Sequence, residues 1–362
     1  MAKDRAARRR HLGEHGFRGL GRNPDRMMNR ISNGGAIEMA HVAAMPSERK
    51  MAASGHLWTI ACALRDTVLP IAKRSAERLT FTVGDPRLGT VRLDGLYREN
   101  AAAGTLAVII HGLGGSAASS YCANAAAAAA RVGHSSLCLS MRGADMSGED
   151  IYHAGLSADV RTVLAEPRFA RYQRILLLGY SFGGYLAIRS AIDRIDSRLS
   201  AIAAVCPPLD LAGVMNAGEA PCRSLYRRAI LVRLIRCYAE AAARKRVPTP
   251  IDVVRQARRC SEWNELTIVP RFGFRSVGDY YRSVDVIPGL HTLDVPCLIV
   301  ASENDPIVPA HLLQAALAEA NGPVTVRWTS QGGHIAFPAR VSLGMNGPLG
   351  LENQLFNWFA NC

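Results

Sequence analysis

Between Arg174 and Arg189 the chain passes from an apolar run, Arg174-Ile175-Leu176-Leu177-Leu178, through Gly179-Tyr180-Ser181-Phe182-Gly183-Gly184, into a helix-like run, Tyr185-Leu186-Ala187-Ile188-Arg189. A strand that breaks at once into a helix constrains the fold more than any other stretch. Such a turn needs glycines on either side, because side chains there would clash. It holds the central serine hydroxyl out at the sheet's C-terminal edge, beside the positive end of the following helix. Around it, a strand-rich start over about 79–98 is followed by strands near 105–110, 136–140, 174–178, 199–205, 296–301 and 324–328. Helices are predicted between them near 117–131, 157–166, 183–193, 310–320 and 350–360. This alternation predicts an α/β fold: a mostly parallel, twisted sheet covered by helices on both faces.

A serine hydroxyl is a poor nucleophile near neutral pH. It needs an imidazole to take its proton and a carboxylate to hold the imidazole. In the α/β-hydrolases, whose nucleophile elbow this stretch resembles, the chain order is serine, acid, histidine. Val295-Pro296-Cys297-Leu298-Ile299-Val300-Ala301 reads as a buried strand, and Asp305 lies in the loop leaving its carboxyl end, where such sheets place their chemistry. The strand Val324 to Trp328 then leads into Gln331-Gly332-Gly333-His334. Asp305 is the expected acid, with Glu303 and Asp285 as alternatives, and His334 is the expected base. His11, His15, His41 and His56 lie upstream of the expected fold, and His134 and His311 sit in surface-like segments.

Acyl transfer builds negative charge on a carbonyl oxygen and requires preorganised N–H donors. The strand Leu106 to Ile110 runs into His111-Gly112-Leu113-Gly114-Gly115-Ser116. The expected donors are the backbone N–H groups of Leu113, in this glycine loop, and Phe182, which follows the nucleophile.

Together these stretches resemble the α/β-hydrolase superfamily, and more narrowly its YheT-like (embryogenesis-associated) branch. The narrower likeness is carried by His111 to Ser116, Met141-Arg142-Gly143, Tyr152-His153-Ala154-Gly155 followed by Asp159, the Ser181 elbow and Asn304-Asp305-Pro306. Gly332-Gly333-His334-Ile335-Ala336-Phe337 and Asp279-Tyr280-Tyr281-Arg282 complete it, from about residue 75 to the C-terminus. The resemblance implies a serine hydrolase cleaving carboxylic esters, short- or medium-chain or lipid-like, with Ser181, Asp305 and His334 as the triad, and with no metal or cofactor. One departure is Arg142-Gly143-Ala144-Asp145, where the family carries Arg-Gly-Cys-Gly or Arg-Gly-Cys-Ser. It is expected to bring a carboxylate to the pocket rim. His153 is expected to be a structural hydrogen-bonding residue. The same acyl-enzyme could pass its acyl group to an alcohol or thiol, and a hydrolase fold can also serve as a binding protein without catalysis. An aspartate-nucleophile dehalogenase is excluded, since the elbow carries serine.

At 362 residues, one large domain with an insertion is the economical reading, and 49% apolar content suffices for a sheet buried on both faces. There is no run of 18 uncharged apolar residues and no apolar core of a signal peptide at the start. Residues 56–72, interrupted by Arg65 and Asp66, read as a helix packed on the domain. The nine cysteines are scattered and lack metal-ligand spacing. They predict buried free thiols in a reducing compartment and a cytoplasmic protein.

The net charge of +13 is segregated. Residues 1–50 carry a net +6 without sustained periodicity and are expected to form a flexible basic arm, with residues 51–362 as the hydrolase domain. Met27, Met28, Met39, Met45 and Met51 offer alternative starts there. Residues 223–282 carry a net +9, while the remainder sums to −2. They fall inside the expected helical cap, about 213–285, where Leu225, Ile230, Leu231, Leu234 and Ile235 make an apolar stripe among arginines. A second helix is expected over 251–260. The cap arginines are expected to line an approach for anionic substrates, to touch an anionic membrane surface, or to pair with the body. The expected partner is a small ester or lipid substrate; nothing resembles a nucleic-acid-reading module.

Overall fold

The computed structural model describes residues 38–42, 55–60, 76–318 and 322–362. Nine strands form one sheet: β1 (Glu38–Val42), β2 (Glu77–Asp85), β3 (Gly89–Arg98), β4 (Thr105–Ile110), β5 (Ser135–Leu139), β6 (Arg174–Tyr180), β7 (Leu199–Val205), β8 (Cys297–Ser302) and β9 (Val324–Thr329). Their order is β1-β9-β8-β7-β6-β4-β5-β3-β2. Pairing is parallel throughout, except that β3 runs antiparallel to both β2 and β5.

The central strands are buried on both faces, which explains their continuous apolar sequences. Alternate residues serve opposite cores. Leu106, Val108 and Ile110 of β4 join one cluster, while Ala107 and Ile109 join the other. Helices α1 (Ser120–Arg131) and α11 (Leu351–Phe359) cover one face, with alanines on α1 meeting Phe356 and Phe359. Helices α2 (Ser157–Leu164), α3 (Phe182–Ile192) and α10 (Ala310–Ala318) cover the other.

Between β7 and β8 lie six helices, the expected cap: α4 (Leu211–Gly218), α5 (Ser224–Ala243), α6 (Ile251–Val254), α7 (Cys260–Leu266), α8 (Ile268–Phe272) and α9 (Val277–Val284). α5 is the longest helix described, rich in Leu, Ala, Ile and Arg, and it ends just before Lys245, whose φ is 56°. The single helix expected over 251–260 is corrected: it stops at Val254. A new helix starts at Cys260, because Arg259 is extended (φ −127°, ψ 150°) and Glu262 reaches back to cap it.

A second correction concerns the arm. Glu38–Val42, placed by sequence in the flexible segment, forms β1 on the sheet edge beside β9. His41 stacks on Trp328 with 6.0 Å between centroids and meets Glu303 Oε1 at 3.0 Å, and Glu38 pairs with Arg327 at 3.1 Å. His41 and His56 are therefore part of the folded body. The helix expected over 56–72 is described at residues 55–60; the rest of it, and the remainder of the arm with His11 and His15, lie outside the described residues.

Candidate active site

Strand β6 delivers Ser181 at the centre of the sheet. Its φ is 52° and ψ −117°, a left-handed region that non-glycine residues rarely occupy. The surroundings hold it there. Ser181 N donates to Val205 O at 2.7 Å, and α3 starts at the next residue. A Cβ on Gly179 would lie 2.1 Å from Gly183 O, and one on Gly183 would lie 2.3 Å from Ile110 O. Only glycine fits at either position, so the elbow's glycines are a packing requirement.

Three loops from three strand ends converge on this hydroxyl. His334 Nε2 stands 2.8 Å from Ser181 Oγ, and His334 Nδ1 stands 2.8 Å from Asp305 Oδ2. The carboxylate is an acceptor, so Nδ1 carries the proton and Nε2 is left to accept from Ser181. Asp305 is fixed in turn: its Oδ1 accepts from Ile307 N at 2.8 Å and Val308 N at 2.9 Å. Ser302 Oγ donates to Gly332 O at 3.1 Å and ties the acid's loop to the histidine's. The three side chains are 8%, 7% and 6% exposed, so water competes little with their bonds. The alternative acids do not reach this point: Glu303 pairs with His41, and Asp285 accepts from Ile287 N.

The loop after β4 lies against the same hydroxyl, since a Cβ on Gly112 would stand 3.2 Å from Ser181 Cβ. Most of its N–H groups are engaged. Gly112 N donates to Tyr121 Oη, Gly114 N to Tyr152 Oη at 2.8 Å, Gly115 N to Gly112 O and Ser116 N to Ser119 Oγ. Leu113 N has no partner among the described residues. His111 sets its direction. Met141 N donates to His111 Nε2 at 3.0 Å, so Nδ1 carries the proton and donates to Gly112 O at 2.8 Å. In a planar trans peptide C=O and N–H point oppositely, so anchoring Gly112 O also aims Leu113 N–H. Desolvation pushes His111 down to about 4 and keeps this ring neutral. Phe182, first residue of α3, presents one of the helix's unsatisfied first-turn N–H groups.

Beside Leu113 and Phe182 a pocket opens under the cap, walled by Tyr152, Leu211, Met215, Leu234, Trp263 and Tyr280 among others, and no charged side chain lines it. Asp145 is not among the lining residues; its carboxylate accepts from Ser147 N and closes its own turn. His153 does hydrogen-bond structurally: its Nδ1 accepts from Gly155 N, and its ring packs 4.3 Å from that of Phe272.

Sequence reasoning missed three contributors. Thr59 Oγ1 accepts from His334 N at 2.8 Å while donating to Gly55 O at 2.7 Å, so the segment 55–60 braces the histidine's loop. Cys206 follows β7 with φ 50°, and its Sγ and the donor atoms of Asp305 and His334 all lie within 4.8 Å of one another. This trio is a poor metal site. Asp305 and His334 hold each other, and burial pushes the Cys206 thiol well above its usual range, so it keeps its proton. Third, Arg142 and Arg271 form a buried cluster with Asp85, Asp150 and Asp159 that joins the cap helix α8 to the body. Arg142 and Asp159 stand in the family-like stretches, but the contacts of Thr59 with His334 and of Arg271 with Asp85 and Asp150 cross more than a hundred residues and leave no local signal.

The chain belongs to the α/β-hydrolase family, whose sequence profile matches residues 107–341. Within it the chain is YheT-like. It is 28% identical over 264 residues to YheT, a candidate esterase of Escherichia coli, an alignment covering 70% of this chain and 76% of YheT. It is 25% identical over 261 residues to medium-chain fatty acid ethyl ester synthase/esterase 2 of Saccharomyces cerevisiae, covering 64% of this chain and 58% of that protein. Among solved structures, the Pyrococcus furiosus esterase Pf2001 superposes with a TM-score of 0.48 at 16% identity, over 72% of this chain and 84% of its own. The chain is an esterase-like α/β hydrolase. Among the described residues, no helix is long and apolar enough to cross a membrane.

Proposed function

We propose that the protein is a serine hydrolase of carboxylic esters acting through Ser181, His334 and Asp305. The observation that carries this is the unbroken line from Ser181 Oγ through the imidazole to Asp305, with 2.8 Å at each step, on a strained elbow. Ser181 Oγ attacks the acyl carbon while His334 Nε2 takes its proton, and Asp305 stabilises the imidazolium that forms. The tetrahedral oxyanion is received by the N–H groups of Leu113 and Phe182. On collapse, His334 returns the proton to the leaving alkoxide and an acyl-enzyme remains. Water, deprotonated by His334, then releases the acid and restores Ser181.

The uncharged, largely apolar pocket supports a short- or medium-chain acyl group or a lipid-like ester as substrate. Acyl transfer to an alcohol is a second reading. It is favoured by the name of the yeast relative, a synthase as well as an esterase, and it differs solely in which hydroxyl meets the acyl-enzyme. A fluorophosphonate probe should label the folded chain at Ser181, and Ser181→Ala should abolish both label and turnover. A folded, unlabelled wild-type protein sinks the proposal and leaves a binding role. A p-nitrophenyl ester series from acetate to palmitate, run with and without added alcohol, separates hydrolysis from transfer.

A further inference from the structure

The cap's arginines divide into two groups. Most are engaged: Arg227 with Gly218 O and Glu219, Arg244 and Arg246 with Glu149, and Arg271 in the buried cluster. Arg228, Arg233 and Arg236 of α5 are exposed, and each has no ion-pair or hydrogen-bond partner among the described residues. The helix buries Leu231, Leu234, Cys237, Tyr238 and Ala241 on one side. Leu225, Arg228, Val232 and Arg236 follow one another at steps of three, four and four residues, so they form a single outward stripe. Leu225 is 75% and Val232 49% exposed, more than a water-facing helix needs to leave bare.

This stripe borders the site. Arg233 packs on the oxyanion loop, where a Cβ on Gly114 would lie 3.4 Å from its Cβ. At the helix's start, Tyr226 Oη meets His56 Nδ1 at 2.8 Å, which brings up the segment carrying exposed Leu57 and Ile60. Charges placed to receive an anionic substrate would face the pocket, yet its lining is uncharged. Base stacking would need exposed aromatics, and the stripe offers none. Alternating cations and bare aliphatics on one outward helix face match an anionic bilayer, where aliphatics enter the acyl boundary and arginine heads stay among the phosphates.

We propose that the outer face of α5, where Leu225 and Val232 alternate with Arg228 and Arg236, docks on anionic lipid surfaces. Docking sets the oxyanion loop and pocket mouth against the layer that would hold a water-insoluble ester. That consequence rests on the ester-hydrolase reading; the docking itself does not.

The full chain should co-sediment with vesicles of phosphatidylcholine and phosphatidylglycerol, less so as salt is raised, and far less with phosphatidylcholine alone. Each arginine near such a surface contributes about five-fold to binding, so Arg228→Gln/Arg236→Gln should weaken it about thirty-fold. Hydrolysis of a soluble short-chain ester should be unchanged by that variant, and Leu225→Ser/Val232→Ser should weaken binding to the same vesicles. Equal binding to both vesicle types, no co-sedimentation, or undiminished binding by the arginine variant overturns the proposal. So does a shift in elution size in place of vesicle binding, which would assign the stripe to a second copy of the chain. Vesicle binding by a protein that the fluorophosphonate fails to label would sink the ester reading alone.

Discussion

Arg271 is the test of how the cap is held over the site. Its Nε donates to Asp150 Oδ1 at 2.8 Å, and its Nη2 donates to Asp150 Oδ2 at 2.7 Å and Asp85 Oδ2 at 2.9 Å. Arg142 completes the cluster with bonds to Asp159 at 2.6 and 2.7 Å, to Asp85 at 2.6 Å and to Asp150 at 3.0 Å. Two guanidinium groups thus serve three carboxylates, all nearly inaccessible to water. Burial opposes the charge on Asp85, yet Arg142, the Leu88 N–H and Arg271 hold it well below the usual carboxylate range. Arg271→Met keeps much of the side chain's volume and leaves three carboxylates on one cation. Removing one partner of a buried pair costs about 3–5 kcal/mol. At roughly 2 °C per kcal/mol for a domain of this size, Tm should fall by about 6–10 °C. Thermal and urea unfolding read the loss directly. Asp150→Asn in the Arg271→Met background removes the surplus charge, so the double variant should be more stable than the sum of the singles by about 1 kcal/mol or more. A single-variant loss under about 1 kcal/mol, or strict additivity, would refute the view that this cluster pins the cap.

Two further outcomes follow from individual contacts. Thr59→Val removes the acceptor of His334 N without changing shape. An unsatisfied buried donor costs about 1–3 kcal/mol, so kcat should drop roughly ten-fold or more with little change in KM, and Thr59→Ser should restore it. Acid should destabilise the fold before its carboxylates titrate. Burial pushes His111 down to about 4 and His153 down to about 3, against an unfolded value of 6.5. Between those values the unfolded chain binds more protons, so stability is complete above pH 6.5 and falls as pH falls. The loss is about 1.4 kcal/mol per pH unit for each ring, or about 4 kcal/mol together at pH 5. Urea unfolding at pH 7.5 and pH 5 measures it, and equal midpoints would contradict the burial of both rings.

The fold was legible in the sequence wherever a strand is buried on both faces, since such a strand must be continuously apolar. β4, β6, β7 and β8 all lie within one or two residues of their predicted positions. The elbow was legible because its glycines answer to backbone contacts within a few residues and to the strand beside it. Asp305 and His334 could be found by chain order. The braces on them could not. Thr59 reaches His334 across 275 residues, and nothing in the sequence around residue 59 separates a bracing threonine from an ordinary one. β1 escaped notice for a different reason. It is a five-residue edge strand whose pairing is satisfied by backbone groups, with His41, Ala40 and Glu38 making no alternating apolar pattern.

The basic segment over residues 223–282 shows where counting charges fails in principle. Its net +9 left three readings open, an approach for anionic substrates, a membrane contact or pairing with the body, and the fold divides its arginines among distinct roles. Arg271 is buried and compensated by carboxylates from β2 and the loop before α2. Arg244 and Arg246 lean on Glu149 and tie the end of α5 to the body. Arg228 and Arg236 face outward and Arg233 lies along the oxyanion loop, none of them with an ion-pair or hydrogen-bond partner among the described residues. Sequence spacing sorts residues by helix face, but it does not say which face meets the protein, because arginines and leucines occur on both sides of α5. Packing of Leu231, Leu234 and Tyr238 against the body decides that, and it turns Leu225 and Val232 outward. A charge change at Arg228 or Arg236 should therefore act on surfaces the protein meets, leaving the uncharged pocket and its chemistry as they are.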